Sequence, residues 1–203
     1  GNEMSKYAFI TGATSGIGLA TAKALAAGGY DLALAARNEG KLSSVKADIE
    51  KEFSVKVTPY VLDVREPEEI RKTVAACLAA FGAPDVLVND AGLARGLEPY
   101  AETKEEDILQ MIDTNIKGLF LVTRAFLPSM LERNSGHIVN LGSTAGLYAY
   151  AGAAVYCSTK AAVKTSRASL TCFPITGRIS AETSFIPLRI SVRDPFFPRT
   201  ETR

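Results

Sequence analysis

The chain has 203 residues, 47% hydrophobic and 22% charged, which is the composition of a globular domain with a buried core. Its formal net charge of +1 gives no electrostatic basis for binding nucleic acid or an anionic membrane, and no apolar run has the length of a membrane span. The three cysteines lack metal-ligand spacing and the first residues lack the apolar core of a signal peptide, so we expect reduced thiols, no metal and a cytoplasmic location.

Apolar runs alternate with amphipathic segments up to about residue 170. The apolar runs predict strands over Tyr7–Ile10, Leu32–Ala35, Val57–Leu62, Asp85–Val88 and Ile138–Leu141. Helical spacing predicts helices over Ile17–Ala27, Lys41–Phe53, Pro67–Phe81, Glu105–Leu131 and Ala153–Ser169. This alternation predicts a single-domain α/β protein with a doubly wound parallel sheet between two helical layers, the three-layer αβα Rossmann fold. Ligands of such sheets bind beyond the carboxyl ends of the strands, where every motif below lies.

A glycine-rich turn joins the first strand to the first helix, with Gly12, Gly16 and Gly18 spaced G-x3-G-x-G. Glycine permits a tight turn and a close approach of backbone to a pyrophosphate, and the helix N-terminus supplies free N–H groups. A plain glycine-rich turn before a helix is the alternative. We predict cofactor contacts from Thr11, Gly12, Thr14, Ser15, Gly16, Ile17 and Gly18.

The residue after the second strand distinguishes two nicotinamide cofactors. An acid there bonds the ribose 2′-OH of NAD, whereas an arginine accommodates the 2′-phosphate of NADP. Here the strand runs into Arg37, and Asp31 lies at its other end. Arg37 therefore favours NADP over NAD, with Ser15 as a second contact to the phosphate. The alternative is a solvated surface arginine.

Two more strand ends carry candidate cofactor contacts. Asp63 and Val64 follow the third strand, where a carboxylate can accept a hydrogen bond from the adenine amino group. The candidates after the fourth strand are Asn89, Ala91 and Gly92. Asn89 alone is equally suited to a strand-end turn. We interpret Asp90, within the same block, as a loop residue and not as a base.

Tyr156 and Lys160 lie four residues apart in a predicted helix and therefore share a face. A nearby ammonium lowers the pKa of a phenol from about 10, which makes tyrosine usable as a general acid/base. Ser143 follows the fifth strand, placed to bond a substrate carbonyl, and Asn115 can anchor a water that passes the proton outward. We predict these four residues to be catalytic, with Tyr156 and Lys160 also contacting the cofactor.

Other residues compete weakly for these roles. Tyr148 and Tyr150 are alternative phenols, but neither has a lysine four residues later. His137 is the only histidine and precedes a strand, so we interpret it as structural or exposed.

These blocks, in this order, resemble the short-chain dehydrogenase/reductase family over about Lys6 to Lys164. The family's glycine turn, adenine-side aspartate, Asn-Asn-Ala-Gly block and catalytic residues match Gly12/Gly16/Gly18, Asp63, Asn89 to Gly92, and Asn115, Ser143, Tyr156 and Lys160. One departure is Asp90, which stands where the family has its second asparagine. The resemblance implies an NAD(P)-dependent enzyme acting on an alcohol or carbonyl, assembled as a dimer or tetramer through its two longest helices.

A finer resemblance concerns three segments, namely residues 91–99, 111–115 and 142–146. They are similar to those of the NADP-dependent 3-hydroxy acid dehydrogenases of the serine/allo-threonine type. This resemblance implies a small 3-hydroxy acid as substrate.

The resemblance stops after Thr165, so we divide the domain into a core, 1–165, and an atypical C-terminal tail, 166–203. The family continues with a sixth strand, a Pro-Gly turn over the nicotinamide, a helix and a seventh strand, but Thr171 to Arg203 contains no Pro-Gly and no clear helical stripe. If the tail is a genuine divergent ending, we expect the sheet to lack its last strands and to expose an edge. The alternative is a change of reading frame, since codons allowed for residues 170–177 can spell a more family-like segment two bases later.

The tail leaves two functions open. The first is an NADP-dependent oxidoreductase that transfers a hydride between the nicotinamide and a small alcohol or carbonyl, with Tyr156 as general acid/base. The second is a dinucleotide-binding module that its C-terminal segment leaves catalytically impaired.

Overall fold

The strands form where apolar residues run without interruption, because helices cover both faces of the sheet. The computed structural model describes residues 5–96, 98–170 and 178–184. Its strands are β1 (Tyr7–Thr11), β2 (Asp31–Ala36), β3 (Val57–Val61), β4 (Val86–Asn89), β5 (Ser135–Leu141) and β6 (Arg178–Ser184). They pair in parallel in the order β3-β2-β1-β4-β5-β6. The chain reverses its direction of progress between β1 and β4, which opens a crevice at their carboxyl ends.

The helices are α1 (Gly16–Ala27), α2 (Glu39–Glu52), α3 (Pro67–Phe81), α4 (Glu105–Ile112), α5 (Leu119–Arg133) and α6 (Ala154–Leu170). Local sequence sets several of their ends: the Asn38 side chain accepts from the Lys41 N–H at the start of α2, and Pro67 opens α3. One apolar cluster joins α3 and α5 to the sheet, and a second joins α1 and α2 to its other face. The predicted three-layer doubly wound fold is therefore confirmed.

The predicted single helix over Glu105–Leu131 is interrupted. A π-helical turn, Asp113–Gly118, separates α4 from α5. Gly118 lies against the loop after β3, where a Cβ atom would be 2.8 Å from the Val64 carbonyl oxygen. This close approach and the wider π turn, a feature frequent at functional sites, place Asn115 inside the protein with 1% of its surface exposed.

The expectation that the tail would leave the sheet without a sixth strand is wrong. Residues Arg178–Ser184 form β6 and pair in parallel with β5, with Ser135 opposite Arg178 and Leu141 opposite Ser184. The segment is largely polar, so its side chains gave no strand signal, whereas backbone hydrogen bonding to β5 depends little on side-chain type. The remaining expectations about the tail, including the missing Pro-Gly turn and the frame change, concern residues 171–177 and 185–203, which lie outside the described residues.

Candidate active site

A cavity of about 580 Å³ lies at the carboxyl edge of the sheet. Its lining includes eight of the predicted cofactor residues: Gly12, Thr14, Ser15, Arg37, Asp63, Val64, Ala91 and Gly92. These residues come from the loops after β1, β2, β3 and β4, so the parallel sheet brings four separate sequence blocks to one place.

The glycine turn fits a close backbone approach. Gly12 has a φ of 65°, and a Cβ atom there would be 2.9 Å from the Ala91 backbone nitrogen. A Cβ atom at Gly18 would overlap the Gly12 carbonyl. The N-cap residue Ser15 makes no side-chain hydrogen bond to the helix, which leaves N–H groups of α1 available to an anion. The shape and donor set of this turn therefore fit a dinucleotide pyrophosphate.

The other predicted cofactor residues lie beside or behind the cavity wall. The Thr11 hydroxyl accepts from the N–H groups of Asp90 and Ala91, both at 3.1 Å, and so fixes the loop after β4. The Asn89 amide is buried and donates to the Thr123 hydroxyl and to Asn140 Oδ1, both at 2.9 Å. Gly16 and Ile17 are exposed at the start of α1. Contact of these residues with a cofactor remains a prediction.

Two positively charged side chains line the part of the cavity that follows β2. Arg37 and Lys41 both line it, together with Asn38. Sequence reasoning missed Lys41, although its position four residues after Arg37 was a usable signal.

The Asp63 carboxylate accepts from Arg65 Nη2 at 2.6 Å, and this hydrogen bonding holds the pKa of Asp63 below its ordinary value. Arg65 is therefore a second residue that sequence reasoning missed, and it keeps Asp63 ionised.

Tyr156 and Lys160 meet at the first turns of α6. Lys160 is 7% exposed, and its Nζ donates to the Leu141 carbonyl at 2.9 Å. The same Nζ lies 6.0 Å from the centre of the Tyr156 ring. Burial lowers the pKa of Lys160, while the charge of Asp90 opposes that shift. The structure thus brings the ammonium to the phenol, as the four-residue spacing predicted.

Ser143 and Asn115 border the same region. Ser143 is 4% exposed, and its hydroxyl accepts from the Ala145 N–H at 3.1 Å. The Asn115 amide accepts from the Leu93 N–H and donates to the Leu93 carbonyl, both at 2.8 Å, and it also donates to the Thr159 hydroxyl at 3.0 Å. Asn115 therefore ties the loop after β4 to α6, and its role in a proton relay remains a prediction.

The alternative candidates for catalysis lie in different surroundings. Tyr148 is 76% exposed, whereas Tyr150 packs in the small apolar cluster that includes Tyr156, and burial raises its pKa. His137 lies within β5 opposite Val86. Asp90, interpreted from sequence as a loop residue, is a partly buried carboxyl that lines the cavity. Its departure from the family asparagine was the signal that could have found it.

A second, small pocket of about 30 Å³ adjoins Tyr156. Its polar lining comprises Arg95, Tyr100 and Thr103 from the segment after β4. The described residues contain no group of three or more His, Cys, Asp or Glu side chains placed to hold a metal ion. In the same part of the chain, no helix combines the length and apolar character needed to cross a membrane.

The sheet order and the glycine turn at its switch point define the class of Rossmann-type proteins, and Ser143, Tyr156 and Lys160 are the candidate proton-transfer residues of this fold. Within this class the chain belongs to the short chain dehydrogenase family, whose family model matches residues 6–172. The match extends beyond Lys164, where the resemblance was expected to end.

Two proteins similar in sequence and one similar in structure show what the chain resembles. An NADP-dependent 3-hydroxy acid dehydrogenase, YdfG, of Salmonella typhi is 45% identical over 155 residues, which are 76% of this chain and 61% of that protein. An NADP-dependent 3-hydroxy acid dehydrogenase of Schizosaccharomyces pombe is 36% identical over 97% of this chain and 73% of its own length. The closed form of a serine dehydrogenase complexed with NADP+ superposes with a TM-score of 0.82 at 37% identity, covering 90% of this chain and 72% of that one. The chain thus spans about three fifths of the first relative.

Proposed function

We propose that the protein is an NADP-dependent oxidoreductase that transfers a hydride between the nicotinamide and a small alcohol or carbonyl substrate. One observation carries this proposal: the cavity that fits a dinucleotide reaches Gly92, where a Cβ atom would be 3.4 Å from Lys160 Nζ. The cofactor site and the proton-transfer site are therefore contiguous. The names of the relatives, which are NADP-dependent dehydrogenases, support the same function.

Each residue has a distinct task in this proposal. NADP supplies or accepts the hydride when bound. Tyr156 donates a proton to the substrate oxygen, or removes it, and the Lys160 ammonium stabilises the phenolate form. The Ser143 hydroxyl holds the same oxygen, and Asn115 keeps the loop after β4 against α6. Lys160 also holds the nicotinamide ribose.

NADP is favoured over NAD because two cations line the cavity where the adenosine ribose would lie. Arg37 and Lys41 together can neutralise a 2′-phosphate, and Ser15 adds a hydroxyl. The two residues directly after β2, Arg37 and Asn38, include no carboxylate, whereas an NAD site has its acid there.

A small 3-hydroxy acid is the proposed substrate. The pocket beside Tyr156 contains Arg95, which makes no ion pair with any other residue that the structure describes. A guanidinium beside the catalytic phenol suits a carboxylate two carbons from the reacting hydroxyl.

A homodimer or homotetramer in the cytoplasm completes the proposal. The apolar side chains of Leu109, Ile112 and Phe120 are 52%, 39% and 44% exposed along α4 and α5, which supports burial of this face in an oligomer. Cys77 and Cys157 are buried free thiols, in keeping with a reducing compartment. Light scattering of the purified protein measures the oligomer directly.

The alternative of a catalytically impaired module is not supported. It depended on the missing Pro-Gly segment, whereas the family match over residues 6–172 and the pairing of β6 with β5 both fit a short chain dehydrogenase. Asn115, Ser143, Tyr156 and Lys160 are all present, and the relatives carry dehydrogenase names.

Tyr156→Phe tests the function. We expect turnover of serine and 3-hydroxypropionate with NADP to fall by at least about 100-fold, the lower end of the range for a lost general acid/base, while NADPH affinity changes little. Tyr148→Phe is the matched control, because that phenol is 76% exposed, and it should retain full turnover. Nicotinamide fluorescence gives the affinities for NADPH and NADH in the same samples. Retained turnover in Tyr156→Phe would remove Tyr156 from its role, and tighter binding of NADH than NADPH would reverse the cofactor preference.

A further inference from the structure

Asp90 places a carboxyl group beside the glycine turn, at the position where the family block has an amide. The carboxyl lies against the first turn of α1, since a Cβ atom at Gly18 would be 2.5 Å from Asp90 Oδ2. The Asp90 N–H is itself held by the Thr11 hydroxyl at 3.1 Å. The carboxyl is thus fixed from both sides at the wall of the cavity.

This carboxyl occupies the same helix N-terminus that a pyrophosphate would use. In the first turn of α1, the Leu19 N–H already bonds the Ser15 carbonyl at 3.2 Å, and the Asp90 carboxyl lies against the Gly18 backbone. The N–H groups of Gly16 and Ile17 remain for a phosphate. An ionised carboxyl and a doubly charged pyrophosphate would therefore lie side by side and repel each other in a partly dry cavity.

The charged groups around Asp90 do not remove this conflict. Lys160 approaches from α6 and its charge acts on Asp90, but its Nζ donates to the Leu141 carbonyl at 2.9 Å and forms no ion pair with Asp90 among the described residues. Arg37, Lys41 and Asp63 line the cavity from the ends of β2 and β3. Burial raises the pKa of Asp90 to about 7, against the opposing effects of the Gly18 N–H and the Lys160 charge. Both forms of the carboxyl are therefore populated at neutral pH.

We propose that Asp90 is neutral when a dinucleotide pyrophosphate lies at the glycine turn, so that cofactor binding takes up a proton at this carboxyl. The proton comes from solvent and adds to one carboxyl oxygen. The other oxygen stays beside the Gly18 backbone, and the new O–H can donate to the phosphate. This inference rests on the proposed dinucleotide function and deepens it, because it makes cofactor affinity depend on pH through one residue.

The affinity for NADPH and NADH, measured by nicotinamide fluorescence between pH 6 and pH 9, tests the proposal. With a carboxyl that titrates near pH 7, the Kd of the unaltered protein should rise about tenfold between pH 6 and pH 8, since each pH unit above the pKa costs one factor of ten. Asp90→Asn should bind with a Kd that stays nearly constant over this range. NADH has no 2′-phosphate, so an equal slope with NADH excludes titration of the ligand itself.

Asp63→Asn is the matched control. It makes the same chemical change in the same cavity, but the pKa of Asp63 is held low by Arg65, so the slope of the unaltered protein should persist. Calorimetry in two buffers of different ionisation enthalpy measures the proton directly: about one proton should be taken up near pH 8 by the unaltered protein and none by Asp90→Asn.

The results distinguish failure of the Asp90 inference from failure of the proposed function. Dinucleotide binding with equal pH slopes in the unaltered protein and Asp90→Asn, or binding without proton uptake, overturns the inference and leaves the proposed function standing. An absence of dinucleotide binding at every pH overturns both. If Asp90→Asn fails to fold, calorimetry on the unaltered protein decides the question alone.

Discussion

At the residue scale, Asp90 and Asp63 are two carboxyls on one cavity whose pKa values move in opposite directions. Burial raises the pKa of Asp90 to about 7, whereas the hydrogen bonds from Arg65 lower the pKa of Asp63. The same residue type therefore has two roles in one site, set by its neighbours. Asp63 is ionised at neutral pH, whereas Asp90, beside the glycine turn, titrates near pH 7.

This difference predicts opposite effects on stability without any ligand. The ordinary pKa of Asp is about 4, whereas the pKa of Asp90 in the folded protein is about 7. Between these two pH values Asp90 keeps its proton in the folded protein but loses it in the unfolded chain. Asp90 therefore destabilises the fold as pH rises from about 4 to about 7. Asp90→Asn should therefore raise the unfolding temperature at pH 8 and have little effect near pH 4.

Asp63→Asn should change the unfolding temperature in the opposite direction. The folded pKa of Asp63 is depressed, so its stabilising contribution is present above the ordinary pKa and is lost as pH falls through the lower, folded value. Asp63→Asn should lower the unfolding temperature at neutral pH, with a deficit that shrinks in acid. Thermal unfolding of both variants by circular dichroism at pH 4, 6 and 8 provides the comparison, and a pH-independent gain for Asp90→Asn would contradict the account.

At the element scale, a short 3-10 turn fixes Ser143 against α6. The turn spans Thr144–Gly146, and a Cβ atom at Gly146 would be 2.5 Å from the Lys160 carbonyl oxygen. Only glycine lets the Ser143 turn and the helix that carries Tyr156 and Lys160 approach this closely. The geometry of the proposed site thus depends on contact between two backbones.

Gly146→Ala should separate these backbones. The added methyl group must push the turn from α6, and a displacement of about 1 Å at the reacting groups can cost on the order of 100-fold in turnover. NADPH affinity should change little, because Gly146 does not line the cofactor cavity. Steady-state kinetics with fluorescence titration separates the two effects.

Gly40→Ala is the control for that substitution. A Cβ atom at Gly40 would make an ordinary contact of 3.5 Å with Asn38 Oδ1, so alanine fits there and favours the helix. Equal turnover in Gly146→Ala and Gly40→Ala would show that the Ser143 turn tolerates movement.

The elements also show where sequence reasoning succeeded and where it failed. The strands β1 and β2 are almost entirely apolar and buried, so their uninterrupted apolar runs alone identified them. The π turn at Asp113–Gly118 was not predictable, because it follows from the packing of Gly118 on Val64, a contact between segments more than fifty residues apart. Lys41 was missed although its spacing from Arg37 was a usable signal, and Arg65 was missed because its ion pair with Asp63 depends on the fold of the loop after β3.

At the scale of the whole molecule, the order of the sheet explains why the site could be predicted from separate motifs. Each motif follows a strand, and parallel strands direct their carboxyl ends to one edge. The tail could not be treated in this way. Its strand β6 is defined by pairing with β5, and its polar sequence carried no period. The division of the domain at residue 165 remains a prediction, although α6 continues through Leu170.

The pairing of β6 with β5 predicts the effect of removing the tail. All seven residues of β5 pair with β6 in register, so a chain that ends at Leu170 would leave β5, the strand that leads to Ser143, as an open edge. We expect this truncated chain to unfold at a lower temperature and to aggregate during refolding. Ala181→Pro in the full chain should act in the same direction, because proline removes a backbone donor and a ladder hydrogen bond in the middle of β6.

The comparison also tests whether the tail as written belongs to the fold. Thermal unfolding and light scattering of the full chain, the truncated chain and Ala181→Pro should rank the full chain as the most stable. If all three behave alike, β6 does not hold the edge of the sheet, and the frame change becomes the better account of residues 166–203. Resequencing of the gene together with the intact mass then decides, because a shifted frame changes both the codons and the mass, whereas a divergent ending changes neither. A stable full chain with an unstable truncation would instead mean that backbone pairing alone, with little help from side-chain pattern, completes this sheet.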